Sequence, residues 1–367
     1  MRKRLLGTVI LGSSLLLACG GSEPPPAAPP APLAPVASTA PPPAETAAPP
    51  ASEPTAEEKK KAEDLKKLQA DRAKWQDDNK AELARWTPEM HAAARALADK
   101  AYPDLRSALK AATAGTHRRP GDAERDKYRH PQETLAFFGL KPTMTVLEIG
   151  PGEGWYTELL APTLAAKGKL IDTNNDPNGP EDQRGTLYGQ RFKALLDKAP
   201  ELFGKVQTVV VDGKAPRLDG DGNVDMVVLM REAHGMVNGG TLDAWLAEIH
   251  KALKPGGVLG IEEHRAKADA DPVESSKKGY VPEKWLVEKV EAAGFKLAGK
   301  SEMNANAKDT KDYPEGVWAL PPSLQGGDKD REKLVAIGES DRMTLKFVKA
   351  PEKTAAPAAP KVGPKKN

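Results

Sequence analysis

From residue 143 onward the chain predicts an α/β fold, doubly wound around a mostly parallel seven-stranded sheet, and three observations carry that expectation. Short apolar runs alternate with stretches of helical period. The lengths between successive runs suit right-handed β-α-β crossovers. The first run, Val146-Leu-Glu-Ile149, ends in a glycine cluster, Gly150, Gly152 and Gly154, that leads directly into a helical pattern. Such a loop turns the chain sharply, lets backbone approach a ligand and presents the free N–H groups of a helix N-terminus, so it reads as a nucleotide-cofactor loop.

The segments before that fold cannot build its core. Residues 1–18 have a basic start, Arg2-Lys-Arg4, and an apolar run of signal-peptide length, too short for an ordinary membrane-spanning helix. Leu16-Leu-Ala-Cys19 resembles the lipobox of bacterial lipoproteins, which implies cleavage before Cys19 and lipidation of its thiol. Cys19 is the only cysteine, so an internal disulfide is excluded. Gly20 and Gly21 follow it rather than an aspartate, which by the same resemblance implies an outer-membrane anchor facing the periplasm. Residues 19–55 are dominated by proline, alanine, serine and threonine and read as an extended tether, with a reach of up to about 100 Å at roughly 3.1 Å per residue. Residues 56–115 are rich in alanine, lysine, glutamate and leucine and read as helical. Pro88 interrupts them, and no heptad pattern persists, which favours a solvated charged segment over a coiled coil.

Within the domain expected at residues 116–350, apolar runs place strands at 143–149, 169–173, 206–211, 224–230 and 257–262. Helical periods fall at 155–166, 186–198, 242–253 and 282–293. Two final strands, at 296–303 and 343–349, are separated by an unusually long loop. The tail, 351–367, is again rich in proline, alanine and lysine and reads as solvated. A net charge of +2, with lysine and glutamate intermixed rather than gathered in a stripe, argues against a nucleic-acid partner.

The stretch Val146-Leu-Glu-Ile-Gly-Pro-Gly-Glu-Gly-Trp-Tyr-Thr157 resembles motif I of class I S-adenosylmethionine-dependent methyltransferases. Its glycines are spaced G-x-G-x-G, and its acid, Glu148, precedes the first glycine by two residues, unlike the dinucleotide fingerprint. The resemblance implies S-adenosylmethionine as cofactor, with its methionine end near Glu148 and the cradle formed by Gly150, Gly152 and Gly154. It also implies a final antiparallel strand inserted into the sheet. Leu253-Lys-Pro-Gly-Gly257 is a turn typical of the same family. An acid after the second strand would bond the ribose; Asp172 is that acid by position, while alignment on Asp176-Pro177 puts Asn174 there instead. Asp212, after the third strand, would accept from the adenine amino group or cap an Asx turn. No metal site is expected: the D-x-N-x-D run at 172–176 has Pro177 and Gln183 where a calcium loop needs glycine and glutamate.

Ligands in open α/β sheets bind beyond the carboxyl ends of the strands, so Arg231, Glu232 and His234 after the fourth strand are the candidates for chemistry. His234 is the expected general base, with Arg231 and His264 as further catalytic candidates. His264 and Arg265 either line the pocket or pair with Glu262 and Glu263 as structure. Three more segments resemble a narrower group of bacterial methyltransferases: Arg125-Asp-Lys-Tyr-Arg-His-Pro131, the stretch 304–312, and Glu339-Ser-Asp-Arg-Met-Thr344. Tyr128, Arg129 and His130 form either a lid over the cofactor or a strap on the sheet. The expected substrate is a small molecule or an envelope component, and no oligomeric state is readable. Motif and address pull apart, because the cofactor is made in the cytoplasm while the lipobox directs the chain outside it. A non-catalytic envelope binding module on the same fold is the alternative expectation.

Overall fold

The computed structural model describes residues 55–218, 222–328 and 330–350. The expected signal segment, Cys19, the tether up to residue 54 and the tail from residue 351 lie outside the described residues.

Three helices come first: α1 (Ala56–Arg85), α2 (Pro88–Asp99) and α3 (Leu105–Thr113). Local chemistry sets their starts. Thr55 and Glu58 close a reciprocal capping box on α1. Thr87 caps α2, whose first residue is Pro88, and the Asp104 carboxylate caps α3. After two short helices, α4 (Asp126–Arg129) and α5 (Pro131–Phe138), the alternating part begins. It runs β1 (Thr145–Ile149), α6 (Thr157–Leu164), β2 (Lys169–Asn174), α7 (Arg184–Asp197), α8 (Pro200–Phe203), β3 (Gln207–Val210), β4 (Val224–Met230), α9 (Ala233–Asn238) and α10 (Leu242–Ala252). It ends with β5 (Leu253–His264), α11 (Pro272–Ser276), α12 (Glu283–Ala292), β6 (Phe295–Ser301), α13 (Arg331–Ile337) and β7 (Arg342–Lys349).

The seven strands form one sheet in the order β3-β2-β1-β4-β5-β7-β6. All neighbours are parallel except β7, which runs antiparallel between β5 and β6. The order reverses direction between β1 and β4, which opens a crevice at their carboxyl ends. Alternate side chains of each strand feed two cores. Leu147, Ile149, Val227 and Leu229 pack with α9, α10 and α12 on one face. Val146, Leu170, Met226 and Val228 pack with the helices of the other face.

Residues 56–115 are helical, but only part of the segment is a solvated stalk. Leu68 is the one residue buried within α1. By contrast Trp86, Ala94 and Ala98, together with Leu109 and Ala112 of α3, belong to the core under β1. Small alanines let these helices lie close, so the second half of the segment is part of the domain. Lys198 fastens the end of α1 through Glu82 at 2.9 Å.

The fifth strand begins earlier than its apolar run. Lys254-Pro-Gly-Gly257 reads as a turn, yet Leu253 already pairs with Val224, and a register shift separates that pair from Met226 and Val258.

Candidate functional site

All three glycines of the loop after β1 hold left-handed backbone, with φ of 62°, 59° and 84° at Gly150, Gly152 and Gly154. Their surroundings differ. A Cβ on Gly154 would stand 1.9 Å from Leu195 Cδ2, so this glycine lets α7 pack on the loop. A Cβ on Gly152 would meet nothing within 4 Å, so this is the open part of the cradle. A Cβ on Gly150 would meet Glu232 Cγ at 2.5 Å, so the Glu232 side chain lies directly on the loop. Burial holds the Glu232 carboxyl up, at about 7, despite the opposing charge of His234.

Glu148 is 2 % exposed, and Thr157 Oγ1, in the first turn of α6, donates to its Oε2 at 2.9 Å. Burial raises its pKa, with Thr157 and Arg231 opposing. Asp172 is fully buried and stands opposite Glu148 in the β1–β2 register. Neither of its carboxylate oxygens has a hydrogen-bond partner, and burial and the Glu148 charge hold its pKa far above the usual value.

That register sets the two ribose candidates at different depths. If Glu148 is level with Asp172, the first glycine, two residues on, is level with Asn174. Gly150 N donates to Thr173 Oγ1 at 2.9 Å, which ties the loop to the end of β2. Asn174 is partly exposed at the end of β2, whereas Asp172 lies one level below the crevice. Of the two ribose candidates, Asn174 therefore stands at the crevice and Asp172 is buried beneath it. Asp212 is exposed just past β3, and its Oδ1 accepts from Lys214 N at 2.9 Å, an Asx turn.

Across the crevice, β4 and β5 deliver the candidates for chemistry. Arg231 follows β4 with φ of 60°, a strained position for a non-glycine residue. Its guanidinium reaches Glu262 at 3.4 Å and lies 5.9 Å from the Tyr156 ring centroid. Tyr156 Oη donates to the same Glu262 at 2.8 Å. Arg231 is thus held within the wall of the site.

His234 and His264 come together, with ring centroids 5.6 Å apart. Between them Glu263, fully buried, accepts from His234 N at 3.0 Å and from His264 N at 2.8 Å, and lies 3.1 Å from His234 Nδ1. Burial disfavours a charged His234 ring, but Glu263 outweighs it and raises the pKa above 6.5. His264 is pushed well below 6.5 by burial, then by His234, Arg342 and Arg231. Its Nδ1 is 2.5 Å from Ser340 Oγ, so the fifth-strand histidine is tied to the chain just before β7. Arg265 turns away to Glu283, 2.9 Å, and Glu302, 2.8 Å.

Sequence reasoning missed several neighbours of this cluster. The Trp318 ring is 6.0 Å from His234 and the Tyr280 ring 6.4 Å from His264. Both come from segments with no strand or helix period to announce them. Ser340 lies within the 339–344 stretch, whose resemblance was the available signal.

The 125–131 segment is a strap. Arg129 pairs with Glu339 at 2.9 Å, His130 Nδ1 lies 3.1 Å from Asn304 Oδ1, and the Tyr128 carbonyl accepts from Arg342 at 2.6 Å. Arg118 and Arg129 also flank the Trp155 ring, at 5.3 and 4.7 Å from its centroid.

The family model for a methyltransferase domain matches residues 122–297. Over 259 residues the chain is 27 % identical to the sterol 24-C-methyltransferase of Yarrowia lipolytica, covering 64 % of this chain and 60 % of that protein. It is 25 % identical over 124 residues to the ribosomal RNA large subunit methyltransferase E of Acidithiobacillus ferrooxidans, covering 34 % of this chain and 52 % of that protein. The chain thus spans less than two thirds of the length of the curated relatives it matches. A solved structure of a SAM-dependent methyltransferase from Aquifex aeolicus is 17 % identical with a TM-score of 0.43, over 67 % of this chain and 98 % of that one. Residues 122–297 are thus a methyltransferase domain, and the strand order of the sheet, with its antiparallel β7 between β5 and β6, is the one the class I resemblance implied.

Proposed function

We propose that the domain transfers the methyl group of S-adenosylmethionine to an oxygen or nitrogen of a small-molecule or envelope acceptor, with His234 receiving the acceptor's proton. The observation that carries this reading is the hold of Glu263 on His234. One buried carboxylate takes both the backbone N–H and the ring of the same histidine, at 3.0 and 3.1 Å. That contact selects the Nδ1–H tautomer and leaves Nε2 as the basic nitrogen.

The residues present fit the cofactor. Gly152 leaves open space at the loop, and Glu148 offers a buried carboxyl beneath it that lacks a lysine or arginine partner within ion-pair distance among the described residues. Asn174, at the exposed end of β2, would bond the ribose, and Asp212, just past β3, the adenine. When bound, the sulfonium supplies an already activated methyl group. The protein's own work is then to position the acceptor, accept its proton and exclude water. Arg231 and His264 position: the first braces Tyr156 and Glu262, the second is held by Ser340 beside His234. The same proposal puts the domain outside the cytoplasm on a lipid anchor at Cys19, and the intermixed charge along the sequence disfavours a nucleic-acid acceptor.

One observation favours a second reading. Glu232 lies on Gly150, and if it stays there the fold is a binding module without a cofactor. Calorimetric titration of S-adenosylmethionine and its demethylated product into the full chain separates the two. Micromolar binding by wild type, abolished by Gly152→Trp, supports the enzyme; no binding by the folded wild type, rescued by Glu232→Ala, supports the module. In chelator-treated protein, His234→Ala should bind cofactor as wild type does and slow transfer by about 10²- to 10⁴-fold. Equal rates would remove His234 from the reaction.

A further inference from the structure

His234, Glu263 and His264 each present a ligand atom to a common space, all within 4.8 Å of one another. We infer that these three side chains form a binding site for one divalent transition-metal ion of the zinc or cobalt type. Two imidazoles and one carboxylate are the donor set of an open zinc site, which keeps a position for water or a substrate oxygen. Magnesium and calcium favour sets made of oxygen alone, so the two nitrogens select against them.

Three further features support the assignment. Glu263 is fully buried, and among the described residues its partner within ion-pair distance is His234 rather than a lysine or arginine. Glu262 next to it is instead matched by Arg342 and Arg231. The local charge therefore leaves one buried carboxylate for a cation. Second, the outer contacts are those that orient metal ligands: Ser340 Oγ holds His264 Nδ1 at 2.5 Å and leaves its Nε2 for the ion. Third, Trp318 and Tyr280 wall the two rings and limit solvent access. A tetrahedral ion with bonds near 2.0–2.2 Å needs donors about 3.3 Å apart. His234 Nδ1 and Glu263 Oε1 are already 3.1 Å apart, and the whole set lies within 4.8 Å.

This revises the expectation of no metal, which rested on the 172–176 run alone. The inference rests on the geometry of the cluster and not on methyl transfer. Held by His234, Glu263 and His264, such an ion would supply Lewis-acid polarisation of an acceptor oxygen or nitrogen.

The test is a titration of Co²⁺ into the metal-stripped full chain, read by visible absorption, followed by displacement with Zn²⁺. One equivalent should bind with the ligand-field bands of a four- or five-coordinate nitrogen-containing site. His264→Ala and Glu263→Gln should each weaken binding at least tenfold, while His91→Ala, far from the cluster, should change nothing. If His264→Ala does not fold, His234→Gln at the more exposed ring carries the same comparison. No binding by wild type below 100 equivalents of Co²⁺, or equal binding by the cluster variants, overturns the site. The readout needs neither cofactor nor acceptor, so its failure leaves the methyltransferase reading standing, and the reverse also holds.

Discussion

At the ends of β1 and β2 two buried carboxyls, Glu148 and Asp172, face each other in register with no ammonium or guanidinium within ion-pair distance among the described residues. At the ends of β5 and β7 two equally buried carboxylates, Glu262 and Glu339, are gripped by arginines. Arg342 lies 3.1 Å from Glu262 and 2.6 Å from Glu339, and Arg129 and Arg125 add contacts at 2.9 and 3.1 Å. The first pair avoids buried charge by holding protons, the second by fixed counter-charges. The difference separates a place that waits for a ligand from a place that holds the fold. A buried acid kept near neutrality can ionise when a cation arrives, whereas one already matched has nothing left to offer.

The largest expected effect breaks the matched side. Arg342→Met leaves Glu262 and Glu339 buried with part of their compensation gone and should destabilise the fold by about 3–5 kcal/mol in urea denaturation. Asp172→Asn, on the other side, removes an acid that is already uncharged in the fold and should stay within about 1 kcal/mol of wild type. Similar losses from both substitutions would mean that the two ends of the sheet are not different in kind.

A smaller effect sharpens the ligand-waiting side by dividing its glycines. Gly154→Ala would put a methyl 1.9 Å from Leu195 at φ of 84° and should cost about 1–3 kcal/mol by overpacking, plus backbone strain. Gly152→Ala meets no atom within 4 Å and carries the strain alone, about 1 kcal/mol. Thermal unfolding of the two variants should therefore order them Gly154 below Gly152. The reverse order would make Gly152 the packing glycine and Gly154 the open one.

This split shows what the sequence discloses. The glycine loop, the helix that follows it and β4, expected at 224–230 and found at Val224–Met230, are local patterns and were legible. So was the inserted last strand, because a family resemblance carries topology. The glycines' separate roles were not, since Leu195 and Glu232 meet them from 41 and 82 residues away. Nor were the different depths of Asp172 and Asn174, because they depend on which residue of β2 stands level with Glu148, and register is a pairing property that no single strand contains. The arginine network around Glu262 joins residues about 80 positions apart through β5 and β7, and mixed charge along the chain gives no sign of which pairs will meet.

The smallest effect is a pH dependence with a definite sign. Burial lifts the folded-state pKa of Glu148 from the ordinary 4.5 to about 7. Between these values the folded chain holds more protons than the unfolded one, so this group's contribution to stability is complete below about 4.5 and is lost as pH rises toward 7. Glu148→Gln removes the titration. The difference in urea midpoint between the variant and wild type should therefore grow in the variant's favour from pH 5 to pH 7.5. The same proton predicts the ligand side: binding a cation beside Glu148 should release protons near pH 6.5, visible as a buffer-dependent calorimetric heat, and Glu148→Gln should abolish the release and weaken cofactor binding about tenfold, near 1.4 kcal/mol. A pH-independent stability difference would mean that Glu148 is already ionised in the empty fold. The contrast between the two ends of the sheet would then rest on Asp172 alone.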